Sequence, residues 1–170
     1  LSPKWSPKTV PLFAVFQGAA LGGISFMFNE MYEGIVTQAI VLTVGIFFSL
    51  LFAYKSRLIK VTENFKLGVV AATFGIGILY MASFFMSMFG MGQMPVMDIT
   101  NSSWFSIGFS LFVIVIASLN LVLDFDFIEE AAEKGAPKYM EWRAALGLMV
   151  TLIWLYLEIL RLLAKLQSRR

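Results

Sequence analysis

The chain has 170 residues, of which 59% are hydrophobic and 14% are charged. A soluble domain is about half apolar and about a quarter charged, so this composition indicates an integral membrane protein. The net charge of +2 is too small to suggest nucleic acid as a partner. The sequence contains no cysteine and no histidine, which excludes disulfides, thiol chemistry and proton sensing by imidazole.

Five apolar stretches are long enough to cross a bilayer as helices, which takes about 20 residues. They span roughly residues 10–28, 35–54, 67–89, 104–123 and 144–163. The first four carry no charge, whereas the fifth contains Glu158 and Arg161. The sequence therefore predicts an all-α integral membrane protein with five transmembrane helices in a single polytopic domain, and the lipid bilayer is its first partner.

Basic residues in the connecting segments predict how the chain is oriented in the membrane. Nine of them fall on one side, namely Lys4, Lys8, Lys55, Arg57, Lys60, Lys66, Lys134, Lys138 and Arg143. The loops on the other side contain Glu30, Glu33 and Asp98 and no basic residue. The positive-inside rule therefore places loops 55–66 and 124–143 in the cytoplasm.

The basic C-terminal tail conflicts with this orientation, because five crossings leave Lys165, Arg169 and Arg170 on the outer side. Two interpretations remain. Either the tail is a tolerated exception to the rule, which we favour, or the fifth segment does not cross the membrane completely.

Two carboxylates, Asp124 and Asp126, come directly after the fourth apolar stretch. Asn120 lies one helical turn before Asp124 and shares its face. Asp126 and the glutamates of segment 129–133 are typical of a solvated acidic helix end. Asp124 fits that interpretation less well, because negative charge near a helix C-terminus opposes the macrodipole and calls for a basic partner or a cation.

Glu158 lies inside the fifth apolar stretch. A charge at the bilayer centre costs about 2.5–3.5 kcal/mol on insertion scales, so such a residue faces the bundle interior or water and indicates a function. Two arrangements remain open. Glu158 can pair with Arg161, three residues on along the same helix face. Alternatively, it faces Asp124 across the bundle.

A pair formed by Asp124 and Glu158 would respond to pH without histidine. Two carboxylates that share a site do not both ionise at low cost, so the pair can change its charge near neutral pH. When deprotonated, it offers oxygen ligands that suit Ca²⁺. No phosphate loop, no nucleophile beside a base and no Ser/Lys constellation is visible, so the sequence predicts no enzymatic activity and no cofactor.

Six motifs spread over nearly the whole chain resemble one known family. They are "FQGAALGGISFMF", "VTQAIVLT", "AYKSRLIKVTENFKLGV", "LVLDFDFIEE", "GAPKYMEW" and "WLYLEILRLLAKL". Together they are similar to the bacterial branch of the Bax inhibitor motif family. The resemblance implies a seven-helix bundle with a central last helix, of which these segments are the last five. Because the chain begins at Leu1 and not at methionine, we expect two helices to precede it.

The resemblance also implies a function, a pH-sensitive calcium leak across the bacterial inner membrane that a pair of carboxylates gates. Asp124 in "VLDF" and Glu158 in "LYLEI" match the two gate positions, and Asn120 and Asp126 would line the cytoplasmic mouth. The chain departs from the family pattern in three ways. Glu158 replaces an aspartate, the linker between the two carboxylates is longer, and the basic latch residue of an early helix is missing.

Helix geometry bears on whether the two gate residues meet. A fifth helix that starts near Arg143 places Glu158 about 22 Å along its axis, at 1.5 Å per residue. Asp124 lies at the cytoplasmic edge. The two carboxylates therefore meet only if the fifth helix enters the membrane later, or if Asp124 is drawn inward.

The sequence leaves room for a function of a different class. Some bacterial relatives associate with a membrane-bound ATP-dependent protease. The chain would then be a non-conducting protein that binds and regulates such a protease or another membrane complex. The acidic segment "DFDFIEEAAEK" would be its docking face.

Overall fold

The computed structural model describes residues 3–92 and 103–169. After a short 3-10 turn at Pro3–Trp5 it contains five helices: α1 (Ser6–Met31), α2 (Ile35–Lys55), α3 (Glu63–Met88), α4 (Trp104–Glu133) and α5 (Tyr139–Ser168). All five are long and apolar enough to cross a membrane, as the sequence predicts. Asp98 of the predicted outer loop and Arg170 of the basic tail lie outside the described residues.

Local sequence signals account for where the helices begin and end. Thr62 caps α3 by accepting a hydrogen bond from the backbone N–H of Phe65 at 3.1 Å, and Ser103 caps α4 in the same way. These bonds satisfy amide groups that the first turn of a helix leaves unpaired. Gly34 joins α1 to α2 at a φ of 81°, in the left-handed region that glycine adopts without strain. Gly135 has a φ of 63° and ends α4 in the same conformation.

The last helix is the centre of the bundle. α5 packs against α1, α2 and α4, whereas α3 lies along α4 and reaches α5 through side chains such as Tyr80. The core between these helices contains Ala39, Ala117, Leu121, Leu155 and Leu160, all of which are inaccessible to solvent. This arrangement agrees with the central last helix that the family resemblance implies.

The two longest helices run antiparallel over the same thickness. The guanidinium of Arg169, just after α5, stacks 3.8 Å from the ring centroid of Trp104 at the start of α4. α5 therefore returns to the level where α4 begins. This geometry favours a fifth segment that crosses completely. Large apolar side chains such as Phe16, Phe52 and Phe74 point away from the bundle, as lipid-facing residues do.

Candidate functional site

Polar side chains follow one another along the contact between α3, α4 and α5. We call this set the polar seam; its members are Thr73, Tyr80, Ser106, Ser110, Asn120, Asp124, Thr151, Glu158, Arg161 and Lys165. From Ser106 to Asp124 the seam extends about 27 Å along α4, at 1.5 Å per residue. The hydrocarbon core of a bilayer is about 30 Å thick. The seam therefore carries polar groups through nearly the whole apolar thickness of the bundle.

Asp124 lies at the end of the seam that is near the α4–α5 loop. It sits beside Gly147 and Thr151 of α5, and a Cβ atom placed on Gly147 would lie 3.7 Å from Asp124 Oδ1. The other carboxylate oxygen, Oδ2, is buried and has no hydrogen-bond partner in the described structure. Within residues 3–92 and 103–169, Asp124 forms no salt bridge. Asp124 is thus a half-buried residue whose Oδ2 is enclosed by protein and which lacks the basic partner that the sequence calls for.

Asp126 and Asn120 occupy different surroundings. Asp126 forms a salt bridge with Lys66 at 3.1 Å and accepts a hydrogen bond from Tyr54 at 3.3 Å. It lines a cleft at the protein surface, and its place at a channel mouth stays a prediction. Asn120 instead donates from Nδ2 to Thr73 Oγ1 at 2.7 Å, which ties α4 to α3 within the seam.

Glu158 lies deeper in the bundle and has two partners. Its side chain is buried, whereas that of Arg161 is 28% exposed, and Arg161 Nη1 lies 3.3 Å from Glu158 Oε1. The hydroxyl of Tyr80 on α3 donates to the same carboxylate oxygen. Arg161 also contacts the ring of Tyr80, with the guanidinium carbon 5.5 Å from the centroid. The charge of Glu158 is therefore balanced within its own helix, and α3 adds a second contact.

The two predicted gate residues lie at different levels of the bundle. Asp124 is beside Thr151, and Glu158 follows Thr151 by seven residues, which is about 10 Å along α5. The described structure contains no contact between the two carboxyl groups. The predicted direct pair of Asp124 and Glu158 is therefore absent from this conformation. The physical reason is the helix geometry, because Asp124 stays near the end of the bundle instead of being drawn to the depth of Glu158.

A buried lysine lies at the opposite end of the seam. Lys165 is fully inaccessible, and its Nζ donates to Ser110 Oγ at 2.7 Å and to the backbone oxygen of Ser106 at 3.3 Å. The prediction that the chain contains no Ser/Lys constellation is therefore wrong, because the fold brings Ser110 and Lys165 into contact. Sequence reasoning missed it because 55 residues separate the two partners. The sequence signal was the seven-residue spacing from Thr151 to Glu158 and on to Lys165, which puts the three on one helix face.

This serine–lysine pair has no visible route for a substrate. Ser110 is only 1% exposed and Lys165 is 0% exposed, so both are sealed between α4 and α5. A nucleophile must reach the bond that it attacks, which a sealed hydroxyl does not do. In this conformation the contact joins the two helices, and a buried ammonium requires such hydrogen bonds.

Comparison with known proteins identifies the family. A family model described as Bax inhibitor 1 like matches residues 1–168. The chain belongs to the Bax inhibitor 1-like family. Searches of the curated proteins and of the solved structures give no match. The membership agrees with the six sequence motifs and with the central position of α5.

The seam of this Bax inhibitor 1-like chain does not resemble a resident metal site. Within residues 3–92 and 103–169, no three histidine, cysteine, aspartate or glutamate side chains are grouped so that they could hold a metal ion. Ca²⁺ takes 6–8 oxygen ligands, more than Asp124 and its neighbours offer. The assignment of Asp124 and Glu158 as calcium ligands, and of calcium as the transported ion, stays a prediction.

Proposed function

We propose that this Bax inhibitor 1-like protein is a pH-sensitive calcium leak channel of the bacterial inner membrane and that Asp124 is its proton sensor. The observation that carries the proposal is the polar seam, which crosses the bundle at its central helix. Polar and ionisable side chains in a membrane face the bundle interior and mark ion pathways. Loops 55–66 and 124–143 would face the cytoplasm, so that Asp124 and the Asp126 mouth lie at the cytoplasmic end.

The packed conformation supports a closed state of the channel. Val113 packs beside Ile76 on the α3 side of α4, whereas Leu121, Leu155 and Leu160 fill the core that α4 and α5 share with α2; all four of these side chains on α4 and α5 are inaccessible. An ion cannot pass a dry apolar layer without a rearrangement that admits water. Conduction therefore requires a second conformation, in which α4 and α5 separate enough to hydrate the seam.

Asp124 is the group that can couple pH to this equilibrium. Its Oδ2 is buried without a partner, and burying an unpaired carboxylate is costly. The packed conformation therefore tolerates the neutral acid better than the anion, whereas a hydrated open conformation accepts the anion. Raising the pH ionises Asp124 and shifts the population toward the open state. Flux should therefore increase with pH.

Glu158 has a different role in this mechanism. Arg161 Nη1 lies 3.3 Å from its Oε1 and Tyr80 donates to the same oxygen, so Glu158 already has a cation and a hydrogen-bond donor beside it in the packed conformation. This arrangement supports a structural role for Glu158, which holds α3 against α5 through Tyr80. The contact must break when water enters the seam. In this proposal the two carboxylates have separate roles. Asp124 is the single proton sensor, and Glu158, paired with Arg161, holds α3 against α5.

The test is calcium flux into liposomes that contain the full-length protein, with equal pH on both sides, from pH 6 to pH 8. Wild-type flux should rise with pH, by at most about tenfold per pH unit for one titrating group. Asp124→Asn cannot ionise, so its flux should be low and independent of pH. Glu141→Gln removes an exposed carboxylate at the start of α5 and should keep the wild-type profile.

Two results would contradict the proposal. A pH profile of Asp124→Asn that equals the wild-type profile would exclude Asp124 as the sensor. The absence of flux above empty liposomes at every pH would exclude the channel. It would favour the second function, a regulator of a membrane-bound protease or another complex. That function is less supported, because Lys66 and Tyr54 already engage Asp126 and Glu129 of the acidic segment.

A further inference from the structure

Two cavities adjoin at the end of the bundle that holds Asp126. The larger is a polar cleft of about 740 Å³ between the α2–α3 segment and the last turns of α4. The smaller is an apolar groove of about 370 Å³ between α2, α4 and α5. Tyr54, Lys55 and Glu129 line both cavities. The two cavities are therefore neighbouring parts of one amphipathic surface.

The polar cleft has one basic wall and one acidic wall. Lys55, Arg57 and Lys60 line it from the α2–α3 segment, and Glu130 and Glu133 line it from α4. A ligand in this cleft meets cations on one side and carboxylates on the other. Such a surface suits a group that carries both a negative and a positive charge.

Several of these charges have no partner inside the protein. Within the part of the chain that the structure describes, Lys55, Arg57, Lys60 and Glu133 form no salt bridge and no side-chain hydrogen bond. In contrast, Glu130 is paired with Lys134 at 2.6 Å. Three cations and one carboxylate are thus available to a ligand without the loss of an existing ion pair.

The apolar groove begins where the polar cleft ends. Phe47, Leu51, Phe125 and Leu148 form its walls below the shared residues Tyr54 and Glu129. A hydrocarbon chain fits such a lining, because it removes apolar surface from water. The pair of cavities therefore matches a molecule with a charged head and an apolar chain.

The turn after α2 places Arg57 beside the cleft. Arg57 has a φ of 61°, in the left-handed region that favours glycine. Its N–H donates to Tyr54 O at 3.1 Å and closes the end of α2, a position where glycine would be less strained. The next residue, Leu58, is 74% exposed. A cation beside an exposed leucine at a helix end is typical of the lipid headgroup level.

We propose that the cleft and groove together bind one phospholipid whose headgroup carries a phosphate and a primary amine, as phosphatidylethanolamine does. The phosphate lies against Lys55, Arg57 and Lys60, and the ammonium lies against Glu133. One acyl chain occupies the apolar groove. An anionic lipid without an amine satisfies the basic wall but leaves the acidic wall repelling it, so it binds more weakly.

The test is native mass spectrometry of the full-length protein in detergent, titrated with phosphatidylethanolamine and phosphatidylglycerol of identical acyl chains. The wild type should retain phosphatidylethanolamine with an affinity at least about fivefold higher, since charge-assisted hydrogen bonds are the strong ones. Soluble phosphoethanolamine, which lacks the chain, should compete poorly. Equal affinity for the two lipids, or efficient competition by the soluble headgroup, would overturn the proposal.

Substitutions separate the site from the general attraction between basic loops and lipid. Lys60→Gln should weaken both lipids, whereas Glu133→Gln should remove only the preference for phosphatidylethanolamine. Lys138→Gln and Glu141→Gln remove exposed charges outside the cleft and should change neither. A Glu133→Gln protein that keeps the wild-type preference would contradict the assignment. The thermal midpoint of each variant shows whether it is folded, and calcium flux plays no part in the readout.

Discussion

Lys165 and Ser110 join the central helix to α4 by a 2.7 Å hydrogen bond in a place that solvent does not reach. A buried ammonium loses its hydration and must be satisfied by protein groups. Ser110 supplies an oxygen from a side chain, and Ser106 supplies one from its backbone. The Lys165 contact therefore helps to hold the register that side-chain packing sets between the two longest helices.

Removal of the Ser110 hydroxyl should destabilise the bundle. Ser110→Ala leaves the ammonium of Lys165 with one partner fewer, at a cost of about 1–3 kcal/mol in the free energy of unfolding. Ser118→Ala is the matched control on the same helix, because its hydroxyl bonds only to Ile114 O of its own helix at 2.8 Å. That change should cost less than about 0.5 kcal/mol. Unfolding of both variants in detergent measures the difference, and equal losses would show that the Lys165 contact is of no special weight.

The salt bridge of α5 predicts an asymmetry between its two partners. Arg161→Gln leaves the buried carboxylate of Glu158 unbalanced, at a cost of about 3 kcal/mol or more. Glu158→Gln leaves a guanidinium that is 28% exposed and can turn toward water, so its cost should be smaller. The double variant should be more stable than Arg161→Gln alone. Unfolding at pH 7 gives the three values; a larger loss for Glu158→Gln would reverse the assignment of which charge depends on the other.

Tyr80 predicts how α3 is held on the bundle. The backbone of α3 lies along α4, and Tyr80 links α3 to α5 through its hydroxyl on Glu158 and its ring on Arg161. Tyr80→Phe removes the donor to Glu158 and should cost about 1–3 kcal/mol. It should also speed amide hydrogen exchange in α3 more than in α4. Tyr139→Phe is the control, because Tyr139 has no side-chain hydrogen bond in the described structure. If the amide hydrogens of α3 exchange at the same rate in Tyr80→Phe as in the wild type, Tyr80 does not have this role.

Hydropathy alone predicts the five helices, because about 20 uncharged residues in a row have few other stable environments. The cost of a charge in an apolar stretch also predicts that Glu158 faces the bundle interior or water, and helix spacing offers Arg161 as one of two possible partners. Helix starts are less well predicted, because α3 begins at Glu63 and not near Leu67. Thr62 caps α3 within a polar segment, and a count of apolar residues does not include that segment.

The register between helices is what the sequence does not contain in readable form. The depth of Asp124 follows from which α5 residues lie beside it, and these are Gly147 and Thr151. Packing of small against large side chains sets that register, and no short motif records it. The rise of 1.5 Å per residue along the fifth helix does predict that Glu158 lies deeper in the bundle than Asp124. This difference in depth is the reason why the two carboxyl groups are not in contact.

Gly147 gives a last prediction about Asp124, the proposed sensor. A methyl group at this position would lie 3.7 Å from Asp124 Oδ1, which is ordinary van der Waals contact, so Gly147→Ala fits the packed conformation. The same methyl group occupies space that water needs beside an ionised Asp124. We therefore expect lower calcium flux at each pH while the increase with pH remains, since the titrating group is unchanged. Gly108→Ala meets no atom within 4 Å and is the control. If Gly147→Ala conducts like Gly108→Ala across pH 6 to 8, hydration of Asp124 is not the step that opens the seam.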